Sequence, residues 1–253
     1  MNRKKLGVIG GLGPMATALF LQMVVEMTEA DRDQEHIEMF IHHCPQIPDR
    51  TGFILGKSTE NPAPALIESG IKLAEQGADM IVIPCVTSTY FYEELSSRIP
   101  VPVLNIVTQI RNYLYEHQIR SVGLMATSGT VTSGLFQQAF SDGECRLILP
   151  SVERQEDVMH LIYENVKAGK PVDMQRFHRV QQELFDCGAE VILLGCTELS
   201  LIKRDENIGP GFLDVMEVLA RETVIRSGKK LKSKYKTLLK GGDVHAAQYS
   251  GVS

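Results

Sequence analysis

Two cysteines occupy matching positions in this sequence, each directly after an apolar run and directly before a predicted helix. Cys85 ends the segment GADMIVIPC at 77–85, and Cys196 ends the segment GAEVILLGC at 188–196. A helix N-terminus lowers the pKa of a thiol, so we expect both cysteines to be more acidic than a free thiol. If the two face one ligand, the first thiolate disfavours ionisation of the second. A thiolate opposite a thiol can remove a proton from one face of a carbon and return one to the other, which is two-base proton transfer.

The cysteine segments belong to an internal repeat. They are 111 residues apart (196 − 85), and a second similar pair, Leu6–Gly13 and Val122–Gly129, is 116 residues apart (122 − 6). Two nearly equal offsets in the same order predict two similar halves, each with a glycine-rich turn after its first strand. Ligands of parallel sheets bind at the carboxyl ends of the strands. If the halves face each other, the two cysteines therefore meet across one cleft.

Short apolar runs that alternate with amphipathic stretches must position these residues. The predicted buried strands are Leu6–Ile9, Glu38–His42, Met80–Ile83, Val101–Leu104, Ser121–Met125, Arg146–Leu149 and Val191–Leu194. Helices are predicted at Ala16–Glu29 after Pro14, at Ala65–Gln76 before Gly77, and at Asp173–Cys187 before Gly188. Proline favours the first helical turn, and glycine favours a left-handed C-terminal cap. The alternation predicts an α/β fold with two pseudo-symmetric domains, each a mostly parallel sheet flanked by helices. We place one at 1–104 plus about 212–228 and the other at 105–211.

The composition is typical of a soluble globular protein, with 43% hydrophobic and 23% charged residues in a chain of 253. Five cysteines without zinc-type pairing predict free thiols and a cytoplasmic location. Glycines interrupt the apolar stretch after Lys5, so we expect no signal peptide. No apolar run approaches the ~20 residues that span a bilayer, so we expect no membrane partner.

The net charge of −5 hides a basic C-terminal segment, with seven Lys or Arg residues and no acid from Arg226 to Lys240. Such a segment could bind nucleic acid. Because the rest of the chain is acidic, we favour a frayed, solvated tail over 229–253 and expect no nucleic-acid partner.

Five segments are informative in combination: LGVIGGLGPMAT at 6–17, PQIPDR at 45–50, 122–134, 157–169 and GCTE at 195–198. Together they resemble the aspartate/glutamate racemase family over essentially the whole folded chain, with GCTE in the aspartate-racemase form of the motif. The resemblance implies a two-cysteine mechanism without pyridoxal phosphate or any other cofactor, an active site between two domains, and commonly a homodimer. The implied substrate is a small acidic amino acid, aspartate first and glutamate next.

The resemblance also implies the binding residues. Arg50 and Lys167 would hold the side-chain carboxylate, because a guanidinium offers a planar pair of donors and an ammonium adds a second positive charge. The others would lie beside the α-carboxylate and amino group, through hydroxyls or backbone donors: Met15, Thr87, Thr127 and Thr197. Threonines at these positions are also typical helix caps, and both roles are compatible.

One position departs from the family. The first cysteine motif there typically reads Pro-Cys-Asn-Thr-Ala-His, whereas residues 84–89 read Pro-Cys-Val-Thr-Ser-Thr. Val86 cannot make the hydrogen bond that asparagine would offer to the amino-acid end of the substrate. We expect the proton transfer to be retained and selectivity for aspartate to be weakened.

Other interpretations fit parts of the sequence. Gly11–Ala16 matches the G-x-G-x-x-A turn of an NAD-dependent oxidoreductase, but the second strand ends at 42–44 (His-His-Cys) without the expected acid. A maleate isomerase-like isomerase or decarboxylase would reuse the same scaffold, and a catalytically silent protein would bind amino acids without exchanging the α-proton. We expect no metal at 42–44, because neighbours on a strand point to opposite faces. Cys145 and Cys187 are predicted to be packing residues.

Overall fold

A computed structural model describes residues 4–239, which fold into two parallel sheets surrounded by helices. The strands are β1 (Leu6–Gly10), β2 (Met39–His43), β3 (Met80–Val82), β4 (Ser121–Met125), β5 (Arg146–Ile148), β6 (Val191–Leu194) and β7 (Phe212–Asp214). The α-helices are α1 (Pro14–Met27), α2 (Arg50–Ile54), α3 (Ala63–Glu75), α4 (Tyr92–Arg98), α5 (Ile106–Glu116), α6 (Ser128–Thr132), α7 (Leu135–Ala139), α8 (Val152–His160), α9 (Met174–Asp186), α10 (Thr197–Asp205) and α11 (Val215–Arg226). Short 3-10 turns lie at Asp33–Glu35, Val86–Phe91 and Ser233–Tyr235, and a π-helical turn lies at Leu161–Val166. Among the described residues no helix is long and apolar enough to cross a membrane.

The order of the strands confirms the predicted fold class and the two similar halves. The first sheet runs β2-β1-β3 and the second β5-β4-β6-β7, all parallel. The repeat pairs that were found in the sequence, β1 with β4 and β3 with β6, occupy equivalent places. The predicted glycine caps are also present, since Gly77 and Gly188 end their helices with φ of 98° and 88°.

Three predicted buried strands, at 38–42, 101–104 and 146–149, differ from the structure. The first forms β2, an edge strand that is only partly buried, with Ile41 39% exposed. The segment 101–104 forms only one bridge, between Ile81 and Val103. The equivalent place beside β6 is taken by β7, which the sequence analysis did not identify. β7 pairs with β6, so residues 212–214 belong to the second sheet and not to the first domain, where we had placed them. The remaining division into domains stays a prediction.

The segment 146–149 is a strand at the edge of the second sheet, so the prediction of a buried strand there was wrong. β5 pairs with β4 alone among the described strands. Arg146 is exposed and the Leu149 side chain just beyond β5 is 37% exposed, because an edge strand has a neighbour on one side only.

Side chains alternate between the two faces of a strand, so one strand contributes to two different hydrophobic clusters. On β6, Val191 and Leu193 enter a central cluster, whereas Ile192 and Leu194 face a cluster confined to the second half. The central cluster also contains residues of β1, β3 and β4 and the buried faces of α1, α5 and α11. One hydrophobic core therefore joins the two halves, and each half has a second core of its own.

The described part of the basic C-terminal segment is packed, so the prediction of a frayed tail is wrong for 229–239. Leu231 forms an antiparallel bridge with Thr28 at the end of α1. Further along, the Tyr113 hydroxyl on α5 accepts hydrogen bonds from the backbone N–H groups of Leu238 (2.7 Å) and Leu239 (3.2 Å). The rest of the predicted tail, 240–253, lies outside the described residues.

Tyr113→Phe should destabilise the protein, because two backbone donors lose their acceptor and one of the two bonds is buried. We expect the free energy of unfolding to fall by about 1–3 kcal/mol, measured by urea denaturation. Tyr115→Phe on the same helix is the matched control, because the hydrogen bond from the Tyr115 hydroxyl to Asp142 lies at the exposed surface. An equal effect of the two variants would contradict the anchoring role of Tyr113.

Candidate active site

The two predicted thiols lie in one small chamber between the halves. Cys85 and Cys196 follow β3 and β6, and each is only 6% exposed. The enclosed space is about 10 Å³, roughly enough for one water molecule. The chamber is lined by Leu12, Asp49, Arg50, Thr51, Cys85, Val86, Thr87, Thr127, Lys167, Cys196, Thr197 and Glu198. Every predicted site residue except Met15 therefore lines it.

The helices behind the two thiols differ. Cys196 is the N-cap of α10, a regular α-helix of nine residues. Cys85 precedes a 3-10 turn, Val86–Phe91, and the α-helix α4 begins only at Tyr92. The two cysteines therefore precede helical segments of different type, a 3-10 segment continued by α4 and a regular α-helix.

Cys196 is less acidic than a free thiol, contrary to the expectation from its place at a helix start. Its Sγ donates a hydrogen bond to Glu198 Oε2 at 2.9 Å. Burial and the negative charge of Glu198 raise the pKa of Cys196 well above its usual range. The sequence argument counted only the helix dipole, whereas desolvation and a neighbouring carboxylate act more strongly here.

Glu198 is a site residue that the sequence analysis quoted in a motif but did not assign. It is buried, and its Oε1 has no hydrogen-bond partner among the described residues. A Cβ atom at Gly13 would lie 2.7 Å from this oxygen, so glycine at that position leaves room for the carboxylate. The glycine-rich turn of the first half thus accommodates an acid carried by the second.

Arg50 is held at the start of α2 by backbone carbonyls. Its Nη1 donates to Pro48 O at 3.0 Å and its Nη2 to Leu12 O at 2.9 Å, while Nε is buried without a partner. Burial acts to lower the pKa of Arg50, but interactions with Cys85 and with the nearby carboxylates of Asp49 and Glu198 outweigh it and the pKa is raised. The guanidinium is therefore charged, and one of its donors remains available.

Lys167 follows the π-helical turn and already has an anionic neighbour. Its Nζ lies 3.9 Å from Asp49 Oδ1 and 4.3 Å from the centre of the Tyr163 ring. The Tyr163 hydroxyl donates to the same Asp49 oxygen at 3.2 Å. Burial acts to lower the pKa of Lys167, but negative charge, chiefly that of Glu198, raises it overall. Sequence reasoning missed Asp49 and Tyr163, since 114 residues separate them and no local pattern relates them.

Three threonines join the halves at the back of the chamber. Thr87 Oγ1 lies 3.2 Å from Thr127 Oγ1 and 2.9 Å from Thr130 Oγ1, and the last two are 3.2 Å apart. Thr127 also caps α6 by accepting from Thr130 N–H, so its capping role is confirmed. Thr130 was not predicted. Thr197 lies outside this group and donates to Glu198 Oε2 at 3.4 Å.

Met15 lies apart from the chamber. Its side chain is 57% exposed and borders a larger cleft of about 400 Å³ on the open side. Cys145 is buried as predicted, and burial raises its pKa to about 11. Cys187 is exposed, so the prediction of a packing role was wrong; it follows α9 at the surface. Within 4–239 no group of three or more His, Cys, Asp or Glu residues could hold a metal ion.

Comparison with known proteins identifies the family. The sequence profile described as Asp/Glu/hydantoin racemase matches residues 9–223. A Bacillus subtilis (strain 168) protein described as the broad specificity amino-acid racemase RacX is 25% identical over 228 residues, covering 87% of this chain and 96% of that protein. Glutamate racemase of Shewanella loihica is 30% identical over 175 residues, and the match spans 63% of each chain.

The solved structure of Picrophilus torridus aspartate racemase superposes with a TM-score of 0.79 and 28% identity, covering 92% of this chain and 98% of that one. A strand-and-cysteine repeat, a site between two parallel sheets and a family profile that spans most of the chain agree. The chain therefore belongs to the Asp/Glu/hydantoin racemase family, which confirms the isomerase class, an amino-acid racemase, that its motifs indicated.

Proposed function

We propose that this chain racemises a small amino acid by two-base proton transfer between Cys85 and Cys196, with no cofactor. The observation that carries the proposal is that both thiols are buried in one chamber together with two cations, Arg50 and Lys167. A substrate Cα between the thiols loses its proton to a thiolate on one face and receives a proton from the thiol on the other. An amino acid is larger than one water molecule, so the chamber must widen when substrate binds.

The two cysteines differ in their resting state under this proposal. The raised pKa of Cys196 and its bond to Glu198 make it the proton donor of the resting enzyme. Cys85 shares the chamber with the cation of Arg50 and has no carboxylate two residues after it, so we assign it the role of base. After one turnover Cys85 carries the substrate proton and Cys196 is the thiolate, which is the form that removes the proton from the opposite enantiomer.

Aspartate is our first candidate substrate and glutamate the second. The buried, unpartnered Nε of Arg50 and the charged Lys167 favour a side-chain carboxylate. The hydroxyls of Thr87 and Thr127 line the chamber and can bind the amino-acid end, where Val86 offers no polar group. The Picrophilus structural relative is described as an aspartate racemase, which supports this choice.

A neutral amino acid is the second candidate. Asp49 already accompanies Lys167, and with Glu198 it balances the two cations of the chamber. A substrate without a charged side chain leaves that balance unchanged. The RacX relative, described as having broad specificity, supports this alternative.

We further propose a homodimer located in the cytoplasm. Support comes from the family resemblance and from the free state of all five cysteines, which suits a reducing compartment.

Replacing either catalytic thiol should stop racemisation. Cys85→Ser and Cys196→Ser should each lower kcat by about 100- to 10,000-fold, because a serine hydroxyl does not supply an anion near neutral pH. The measurement is conversion of L-aspartate and L-alanine to their D forms, with α-deuterium uptake in heavy water. Cys187→Ser, at an exposed thiol, should remain fully active. Near-wild-type racemisation by either chamber variant would refute the two-base assignment.

Removing the charge of Glu198 should make Cys196 more acidic. In Glu198→Gln the carboxylate that disfavours the thiolate is lost, so the pH profile for iodoacetamide modification of Cys196 should shift to lower pH. Peptide mapping by mass spectrometry isolates Cys196 from the other thiols. Glu206→Gln, just after the far end of α10, removes the same charge and should leave the profile unchanged. A shift to higher pH in Glu198→Gln would contradict the electrostatic role of this residue.

Lys167→Met distinguishes the two candidate substrates. Loss of a hydrogen bond to a charged group costs about 1.5–3 kcal/mol, so kcat/KM for aspartate should fall by roughly 10- to 100-fold. The value for alanine should change by less than about three-fold, because alanine presents no second carboxylate. If alanine is the better substrate of the wild type and both values fall alike, the neutral amino acid is the substrate class.

A further inference from the structure

The larger cleft is continuous with the thiol chamber. The two spaces share five lining residues, Leu12, Asp49, Arg50, Lys167 and Glu198. We call the four charged ones the collar. The other residues that line the cleft form what we call the vestibule: Gly11, Gly13, Pro14, Met15, Ala16, Pro45, Ile47, Val166 and Leu201. The collar therefore stands between a reactive chamber of about 10 Å³ and an open space of about 400 Å³.

The chemical character of the lining changes at the collar. Every charged side chain that lines the cleft belongs to the collar and also lines the chamber. Beyond it, the vestibule presents only apolar side chains and glycine backbone among the described residues. A site with a few polar groups at one end and an apolar remainder is typical of small-molecule binding.

The chamber has one direction in which a long substrate can extend. Thr87 and Thr127 line part of its wall and are buried and hydrogen-bonded to each other and to Thr130. The other described clefts share no lining residue with the chamber. With its Cα between the thiols, an amino acid must therefore direct a long side chain through the collar into the vestibule.

We propose that the vestibule is a subsite for the apolar part of a substrate side chain, so that long, unbranched apolar amino acids are substrates alongside short acidic ones. A side chain that ends in a carboxylate stops at the collar cations, whereas a longer apolar chain passes them and covers exposed surface of Met15. Burial of apolar surface on the substrate side chain and on the vestibule favours binding. This inference rests on the proposed racemase function and names a substrate class for the same site.

A series of straight-chain amino acids tests the subsite in the wild-type enzyme. Alanine, 2-aminobutyrate, norvaline and norleucine differ by one methylene each, and kcat/KM for racemisation should rise by about four-fold per methylene. A flat or falling series would overturn the subsite.

Met15→Glu tests the location of the subsite. A carboxylate in the vestibule must lose water when an apolar chain enters, so the ratio of kcat/KM for norleucine to that for alanine should fall by about ten-fold or more. Val25→Glu adds the same charge to an exposed position of the same helix outside the cleft, and should leave kcat/KM unchanged for both norleucine and alanine. Equal norleucine activity in Met15→Glu and the wild type would overturn the assignment.

Binding to the Cys85→Ser variant separates this inference from the proposed chemistry. Calorimetric Kd values for norleucine and alanine should keep the preference for the longer chain although no turnover occurs. If the wild type binds norleucine more tightly than alanine but racemises no amino acid, the subsite stands and the racemase proposal fails. If alanine or aspartate is racemised but norleucine binds no better than alanine, the racemase proposal stands and the subsite fails.

Discussion

A guanidinium is charged at all accessible pH values, so the buried guanidinium of Arg50 requires hydrogen-bond acceptors and negative charge around it. Backbone carbonyls of the glycine-rich turn and of the loop before α2 turn inward to bind it. Asp49 and Glu198 supply negative charge nearby, one from each half of the chain. The turn that opens α1, the loop at 45–50 and the start of α10 are thereby fixed relative to one another around a single cation.

The internal repeat brings two cysteines together but does not make them equivalent. Two residues after Cys196 stands an acid, Glu198, whereas two residues after Cys85 stands Thr87. One thiol is consequently paired with a carboxylate and the other lies under the influence of Arg50. The two-base reaction that we propose needs one acid and one base at the same moment, and the difference between Thr87 and Glu198 supplies this asymmetry within a repeated frame.

Much of this arrangement could be predicted from the sequence, because its signals are local. The apolar runs, the capping glycines and the spacing of the repeat gave the strands, the helix ends and the pairing of the cysteines. The acidity of Cys196 could not be predicted in the same way, since it depends on how deeply tertiary packing buries the thiol. The approach of Tyr163 to Asp49 and the bond between Tyr113 and Leu238 join residues more than 100 positions apart, without a pattern that relates them. β7 offers only two consecutive apolar residues, Phe212 and Leu213, before Asp214, whereas the run that predicted β3 has four, at 80–83.

The shared central core also constrains how the chain can be synthesised. α1 packs chiefly on α11, and the end of α1 pairs with Leu231, so its apolar surface is covered by some of the last described residues to be made. During translation, the first sheet can form long before this cover exists. The nascent protein must therefore carry the exposed apolar face of α1 until α11 and Leu231 have been made, and apolar surface exposed for so long favours aggregation.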